Sequence, residues 1–269
     1  MAQKGASAGL SLAGKGFFGS LCAGTFSLGV WQTQRYFEKQ DMIKEREDAL
    51  SKEPLTQFTF DKSDFQIMRL QGRYLYDKEL LVGPRSPSLG SLPDKPGSSG
   101  QGMARAPMGY FVLTPFQISQ SHVLIVNRGW IPRTLVYDER RPNQYVVPEW
   151  DRPKGNVSVT AISSTPEKPK IVVPEHKLGG ALPELFWMDL DTMKEHVTSD
   201  ADSDLTVLAM VTAVREEEDK PATSFPASPP VKTIAEFKTS PAIHAGYAAT
   251  WYGLAAAGVF MTRLLILRK

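Results

Sequence analysis

Two uncharged runs bracket this sequence, and they constrain it more than anything between them. Gly16–Gln34 is 19 residues long and Ala245–Thr262 is 18, and neither contains an Asp, Glu, Lys or Arg. At a rise of about 1.5 Å per residue, helices of this size roughly match a hydrocarbon core about 30 Å thick. Trp31 and Tyr36 lie where the chain leaves the first run, and Tyr247, Trp251 and Tyr252 where it enters the second. That is the interfacial position that amphipathic rings favour. Arg263, near the end of the second run, is long enough to snorkel towards headgroups. The expectation is therefore two transmembrane helices, 16–34 and 244–263. The competing readings are two buried helices of a soluble core and, for the first run, a signal-peptide core. No small-x-small cleavage site precedes the polar segment that follows the first run.

Charge is distributed to match. The chain has 31 Lys+Arg and 29 Asp+Glu, a net charge of +2. Residues 1–31 hold only Lys4 and Lys15, and residues 244–269 only Arg263, Arg268 and Lys269. These five bases at the ends leave 26 against all 29 acids in residues 32–243. Basic flanks stay on the cytoplasmic or matrix side, so both termini (1–15 and 264–269) share that side and the body lies across the membrane. The balance excludes the basic excess of a nucleic-acid binder. The single cysteine, Cys22, excludes an intramolecular disulfide framework, a Cys-rich zinc site and an iron–sulfur cluster. Small residues recur every fourth position in each run, Gly19, Ala23 and Ser27 in one and Ala249, Gly253 and Ala257 in the other. This spacing lets helix backbones approach closely in lipid, between the two spans or with a partner's helices.

The body reads as mainly β. Residues 35–54 are charged helix formers that extend the first helix as far as Pro54. Strand-like runs then follow over Phe65–Tyr74, Glu79–Gly83, Gly109–Ile118, His122–Trp130, Asn156–Ser163, Leu185–Asp189 and Leu205–Val214, with a short helix over Asp191–Val197. Seven short strands in residues 55–215 with Gly/Pro punctuation imply a sandwich or partly open barrel. Ser86–Pro107 and Arg133–Gly155 read as loops, and 216–243 as a Pro-rich, solvated linker back to the membrane. The fold expected is thus a mainly β soluble domain flanked by two transmembrane helices.

Five segments, in order, resemble one family. LGVWQTQRYFEKQDMI, GRYLYDKELLVGPR, GYFVLTPFQISQSHVLIVNRGWIPR, FWMDLDTM and HAGYAATWYGLAAAGVFM span Leu28 to Met261. Together they resemble the signature of the Surfeit-locus (Shy-type) cytochrome c oxidase assembly factors. The resemblance implies a protein of the mitochondrial inner membrane, with both termini in the matrix and the β domain in the intermembrane space. It implies partnership with cytochrome c oxidase core subunits and assembly intermediates, a chaperone-like part in complex IV biogenesis, and heme a as cargo. A stable scaffold subunit retained in the mature oxidase, without heme or catalysis, is the alternative. Departures from the pattern are the Ser86–Pro107 insertion, an amino end with no arginine, and the Pro-rich final linker.

Among His122, His176, His196 and His244, only His244 abuts an uncharged run. On a helix His244, Tyr247 and Trp251 share a face. A neutral imidazole is a good axial ligand for heme iron and the rings offer flat walls, so these three form the candidate heme edge. The plain alternative is an interfacial anchor. No metal site other than heme iron at His244 is expected. Arg128 and Arg85 are candidates to pair a heme propionate or a partner carboxylate through a bidentate fork, with Trp130 beside Arg128. Turn chemistry around Asn127 and Gly129 explains the same motif without a ligand. No GxGxxG, P-loop, HExxH or GxSxG motif occurs, and no nucleophile–base pair stands out, so no enzymatic activity is expected.

Overall fold

Both uncharged runs are helical in a computed structural model that describes residues 11–60, 64–92, 107–138, 141–145, 150–169, 173–179, 182–199, 204–216, 224–237 and 239–267. Helix α1 spans Leu12–Leu50 and α4 spans Pro241–Leu267. The chain divides into two compact units, Met1–Glu45 with Phe237–Lys269, and Arg46–Glu236.

In the first unit α1 and α4 pack against each other. The contacting residues of α1 include Cys22, Gly29, Gln32 and Thr33, and those of α4 include His244, Tyr252 and Gly258. A Cβ at Gly29 would stand 2.6 Å from the Tyr252 ring, and one at Gly258 would stand 2.8 Å from Cys22 Sγ. Glycine is what allows both approaches. The contact lies on another face from the expected seam. Gly19, Ala23, Ser27, Ala249, Gly253 and Ala257 are all exposed, and a Cβ at Gly19 or Gly253 would meet nothing within 4 Å. The shielded positions of α4 run Ala248, Tyr252, Ala255, Gly258 and Thr262, steps of three and four, which keep to one face where steps of four drift around it.

Among the described residues one helix, α4, is long and apolar enough to cross a membrane, and only 6% of its most apolar window is buried within the protein. A core helix of a soluble domain would be mostly covered. The first run has the length, but its Gly, Ser, Thr and Gln content dilutes its apolar character, so the expectation of two spanning helices is met by one.

The second unit is built on a seven-stranded sheet of order β1-β7-β9-β4-β3-β2-β8. Its strands are β1 (Met68–Tyr74), β2 (Leu80–Arg85), β3 (Gly109–Gln117), β4 (His122–Pro132), β7 (Val157–Ser164), β8 (Glu184–Leu185) and β9 (Thr206–Ala213). β1 also pairs with β3 through Arg73↔Gln117 and Tyr74↔Phe116, which closes β1, β7, β9, β4 and β3 into a ring. β2 pairs with the Gly109–Leu113 part of the β3 edge whose other end pairs with β1, and β8 follows β2 as a wing. Of the two expected architectures this is the partly open barrel.

β4 alternates between two cores. Leu124 and Val126 face a cluster with Met68, Leu70, Phe116, Val159 and Val211. Val123 and Ile125 face another with Leu80, Leu113, Met193, Val197 and Met210. Both faces are covered, so the strand reads as a continuous apolar run. Met193 and Val197 come from α2 (Leu190–Val197), four apart on one helical face, and Asp189 caps it by accepting from the Asp191 and Thr192 amides at 3.1 and 3.3 Å. The expected strand over Leu185–Asp189 shortens to β8 because the chain turns into this cap.

A hairpin of β5 (Tyr137–Asp138) and β6 (Arg141–Tyr145) lies inside the stretch read as a loop. The segment read as a solvated linker is also partly packed. Ala227 is fully buried and bridges Trp130, Phe225 stacks near the Trp130 ring, and α3 (Val231–Ile234) follows. Most of the Ser86–Pro107 insertion, residues 93–106, lies outside the described residues.

Candidate functional site

The expected site residues fall into two separate groups, one in each compact unit. In the helical unit His244 stands on the first turns of α4, and its Nδ1 lies 2.8 Å from Gln32 Oε1 on α1. A carbonyl oxygen can only accept, so this contact is a hydrogen bond when Nδ1 carries a hydrogen. No described residue hydrogen-bonds Nε2. Gln32 is 9% exposed, an amide buried between the two helices. One position on, Thr33 Oγ1 and the Tyr252 hydroxyl lie 3.1 Å apart, and Tyr252 also meets the Phe26 ring at 5.4 Å between centroids. Tyr247 is exposed and Trp251 half-buried, while Ala248 between them is covered by packing. His244, Tyr247 and Trp251 therefore follow one another along α4 with the first held by α1 and the second open.

In the β unit Arg128 occupies a bulge. Val112 pairs with Gly129 and Leu113 with Asn127, which leaves Arg128 as the extra residue of β4. A bulge re-aims its side chain, and here it sends a guanidinium into the interior. Gly129 adopts a φ of 123°, and a Cβ there would fall 2.5 Å from the Ala227 carbonyl. Asn127 Oδ1 accepts from the Gly129 amide at 3.1 Å, the turn chemistry expected of this motif.

Arg128 is 7% exposed, and its partner is Glu79, 1% exposed, at 3.4 Å. Glu79 is the centre of a network. Its Oε2 accepts from Thr114 Oγ1 at 2.6 Å, and its Oε1 accepts from Trp150 Nε1 at 3.1 Å and Arg152 Nη2 at 2.5 Å. Arg128 also donates to the Asp151 carbonyl and lies over the rings of Tyr74 and Tyr76, 4.9 and 5.4 Å from their centroids. The Tyr76 hydroxyl donates to the Pro153 carbonyl at 2.7 Å. Burial is the main cause that pushes the Tyr74 hydroxyl from its ordinary 10.0 up to about 12, against the opposing pull of Arg128. This carboxylate fills the wedge where β1 leaves β3 and β2 joins it. Buried charges persist where they are paired and their hydrogen-bonding capacity is met, and Glu79 meets both conditions.

Arg128 is thus engaged inside the domain, not presented to an external carboxylate. Arg85 is tied as well, to Glu167 and to the Phe186 carbonyl at 3.3 Å. Trp130 is core, 1% exposed, with its indole N–H donated to the Arg85 carbonyl at 2.9 Å. The β unit brings Arg128, Arg85 and Trp130 near one another as structure, and His244 belongs to the other unit. Glu79 was not singled out from the sequence. The available signal was opposite charges, Glu79 and Arg128, each set against an otherwise apolar strand.

His176 forms a further polar cluster. It accepts from the Phe186 amide at 3.2 Å, faces Asp189 at 3.4 Å and stacks 3.9 Å from the Trp187 ring. Burial would raise the Asp189 carboxyl, but hydrogen bonds from Thr192, His176 and Asp191 outweigh it and hold the group below its usual range. No group of three or more His, Cys, Asp or Glu that could hold a metal ion occurs among the described residues.

The sequence profile of the SURF1 family matches residues 20–256. A SURF1-like protein of Drosophila melanogaster is 32% identical over 165 residues, 58% of this chain and 51% of the relative, so the match spans about half of that relative's length. A SURF1-like protein of Monosiga brevicollis is 29% identical over 241 residues, 86% of this chain and 79% of the relative. Surfeit locus protein 1 of Xenopus tropicalis is 28% identical over 256 residues, 91% and 73%.

Proposed function

The chain belongs to the SURF1 family, and from that premise we propose that it is a membrane-anchored assembly factor for cytochrome c oxidase that presents heme a to the core subunit. The profile match covers nearly the same residues as the five ordered blocks, Leu28 to Met261, so the resemblance to oxidase assembly factors extends over both helices and the β unit. The anchor is α4, with α1 as the second span. Its exposed Phe17, Leu21, Leu28 and Trp31, together with Leu254, Val259 and Phe260 of α4, give the helix pair an apolar outside suited to lipid. The termini lie in the mitochondrial matrix and the β unit in the intermembrane space. No enzymatic step is assigned to it.

The observation that carries the heme reading is His244, an imidazole whose Nδ1 lies 2.8 Å from Gln32 Oε1 while no described residue hydrogen-bonds its Nε2. Metal-bound histidines are arranged in this way, with the second nitrogen donating to a fixed acceptor. Tyr247 and Trp251, one and two turns further along α4, supply flat apolar surface. Heme, when bound, supplies an iron that takes a neutral imidazole as axial ligand. The chain's part is to hold that ring in one tautomer. Arg128 and Arg85 are engaged within the β unit, so the reading assigns no propionate contact to them.

The test is the absorption spectrum of protein purified from heme a-replete cells, wild type beside His244→Ala. The expected outcome is loss of bound heme with the variant still in the membrane fraction. Equal occupancy in the two proteins removes His244 as the ligand, and a heme-free wild type removes the carrier mechanism.

A further inference from the structure

Gln32 is the least expected residue of the helix pair. A primary amide in a lipid-facing helix is unfavourable unless it has a partner, and such residues turn inwards to hydrogen-bond across helices. Gln32 is 9% exposed, and its carbonyl lies 2.8 Å from His244 Nδ1, across 212 positions of sequence. Gly29, one turn before it, lets the Tyr252 ring lie against the α1 backbone. Thr33, one residue later, faces the Tyr252 hydroxyl at 3.1 Å. These two contacts seat the α1 backbone against Tyr252 on either side of Gln32, and the contact of the amide itself is with His244.

We propose that Gln32 is a positioning residue that fixes His244 as the Nδ1–H tautomer and so leaves Nε2 bare as the ligand atom. The assignment rests on the heme reading for what the bare nitrogen is for, but not for the tautomer itself. An unrestrained neutral histidine favours the hydrogen on Nε2, which would block that atom. The acceptor on Nδ1 reverses the preference, because which nitrogen carries the hydrogen follows the bond the other one makes. A fixed acceptor also limits ring rotation and raises the basicity of the ligating nitrogen. Gln32 touches neither iron nor substrate, so its effect passes entirely through His244.

Selectively 15N-histidine-labelled full-length protein in detergent, free of heme, reads the tautomer directly. Wild type is expected to show Nδ1 protonated and Nε2 bare. Gln32→Leu, of similar size but unable to accept, is expected to shift the hydrogen to Nε2. Gln32→Glu keeps an acceptor and is expected to retain the wild-type pattern. Heme titration of the same three proteins should show affinity about 10- to 100-fold lower for Gln32→Leu and close to wild type for Gln32→Glu. A wild-type His244 protonated at Nε2, or a Leu variant with unchanged tautomer, overturns the proposal. If the tautomer pattern holds in a protein that takes up no heme, the carrier reading fails while the role of Gln32 stands. Should the Leu variant not fold, the wild-type spectrum alone decides.

Discussion

Replacing Glu79 by Ala removes the one carboxylate shared by two guanidiniums, an indole N–H and a hydroxyl. The cost follows from how well each orphan can reach water. The Arg128 side chain is 6% exposed and loses its carboxylate partner, keeping only the Asp151 carbonyl and the two tyrosine rings, which costs about 3–5 kcal/mol. Arg152, 29% exposed, turns to solvent and adds little. Thr114 and Trp150 each lose an acceptor in a buried setting, at about 1–3 kcal/mol apiece before any water enters. With water reaching Thr114 and Trp150 the expected loss is at the low end of this sum, about 5 kcal/mol, a large fraction of the roughly 5–15 kcal/mol that stabilises a typical domain. For a domain of this size it lowers Tm by roughly 10–20 °C. Glu79→Gln keeps the shape and two acceptor lone pairs but no charge, and is expected to lose about half as much. The assay is urea unfolding of the full chain in detergent, followed by tryptophan fluorescence, with Trp150 reporting from the network itself. The double variant with Arg128→Ala should fall short of the summed single losses by more than about 1 kcal/mol, because the two residues share one interaction. A Glu79→Ala protein within about 1 kcal/mol of wild type refutes the reasoning, since the network would then be solvated or unformed.

Tyr74 carries a pH signature of the same site. Its proton is held more tightly folded than unfolded, so its contribution is complete below about pH 10 and is lost as pH rises towards 12, amounting to at most about 2.7 kcal/mol. Tyr74→Phe should flatten the alkaline limb of a stability–pH profile, and an unchanged limb rejects the assignment. The helix contact is tested by Gly258→Cys, which places a second thiol against Cys22, the chain's sole cysteine. Mild oxidation should consume both thiols within one chain, as read by mass spectrometry, whereas Gly253→Cys, on an open face, should not couple to Cys22. Reversed reactivity would mean the helices pair through the spacing-four residues after all.

The strands were legible because β1, β3, β4, β7 and β9 carry long apolar or β-branched runs ended by Gly, Pro or polar turns, and their boundaries move by at most a few residues. The β5–β6 hairpin was not legible, since RPNQY offers no apolar face. The contact between α1 and α4 was not legible, because the small residues at a constant step of four suggest a seam with either the other span or a partner's helices, whereas α1 and α4 meet through Gly29, Cys22 and Gly258. His244 was legible by its position beside an apolar run. Gln32 was not, because nothing local says that a glutamine at one end of the chain faces a histidine near the other. The Glu79 network fails the same way. Its members at 79, 114, 128, 150 and 152 form no motif until β2, β3 and the Arg128 bulge converge.

β9 lies between β7 and β4, and its pairing with β4 is parallel, so 73 residues separate the end of one strand from the start of the other. During synthesis the central strand waits half-paired, its apolar edge open, until Thr206–Ala213 arrives. Such late non-local pairing makes assembly slow and leaves nascent species prone to aggregate. A chain terminated before Thr206 loses the keystone: the antiparallel pair of β1 and β7, itself non-local, would be joined to β3 and β4 by only the two residue pairs of β1 with β3. Truncation there would not yield a smaller barrel but one chain with two open sheet edges, a burden for the quality-control machinery of whichever compartment receives it.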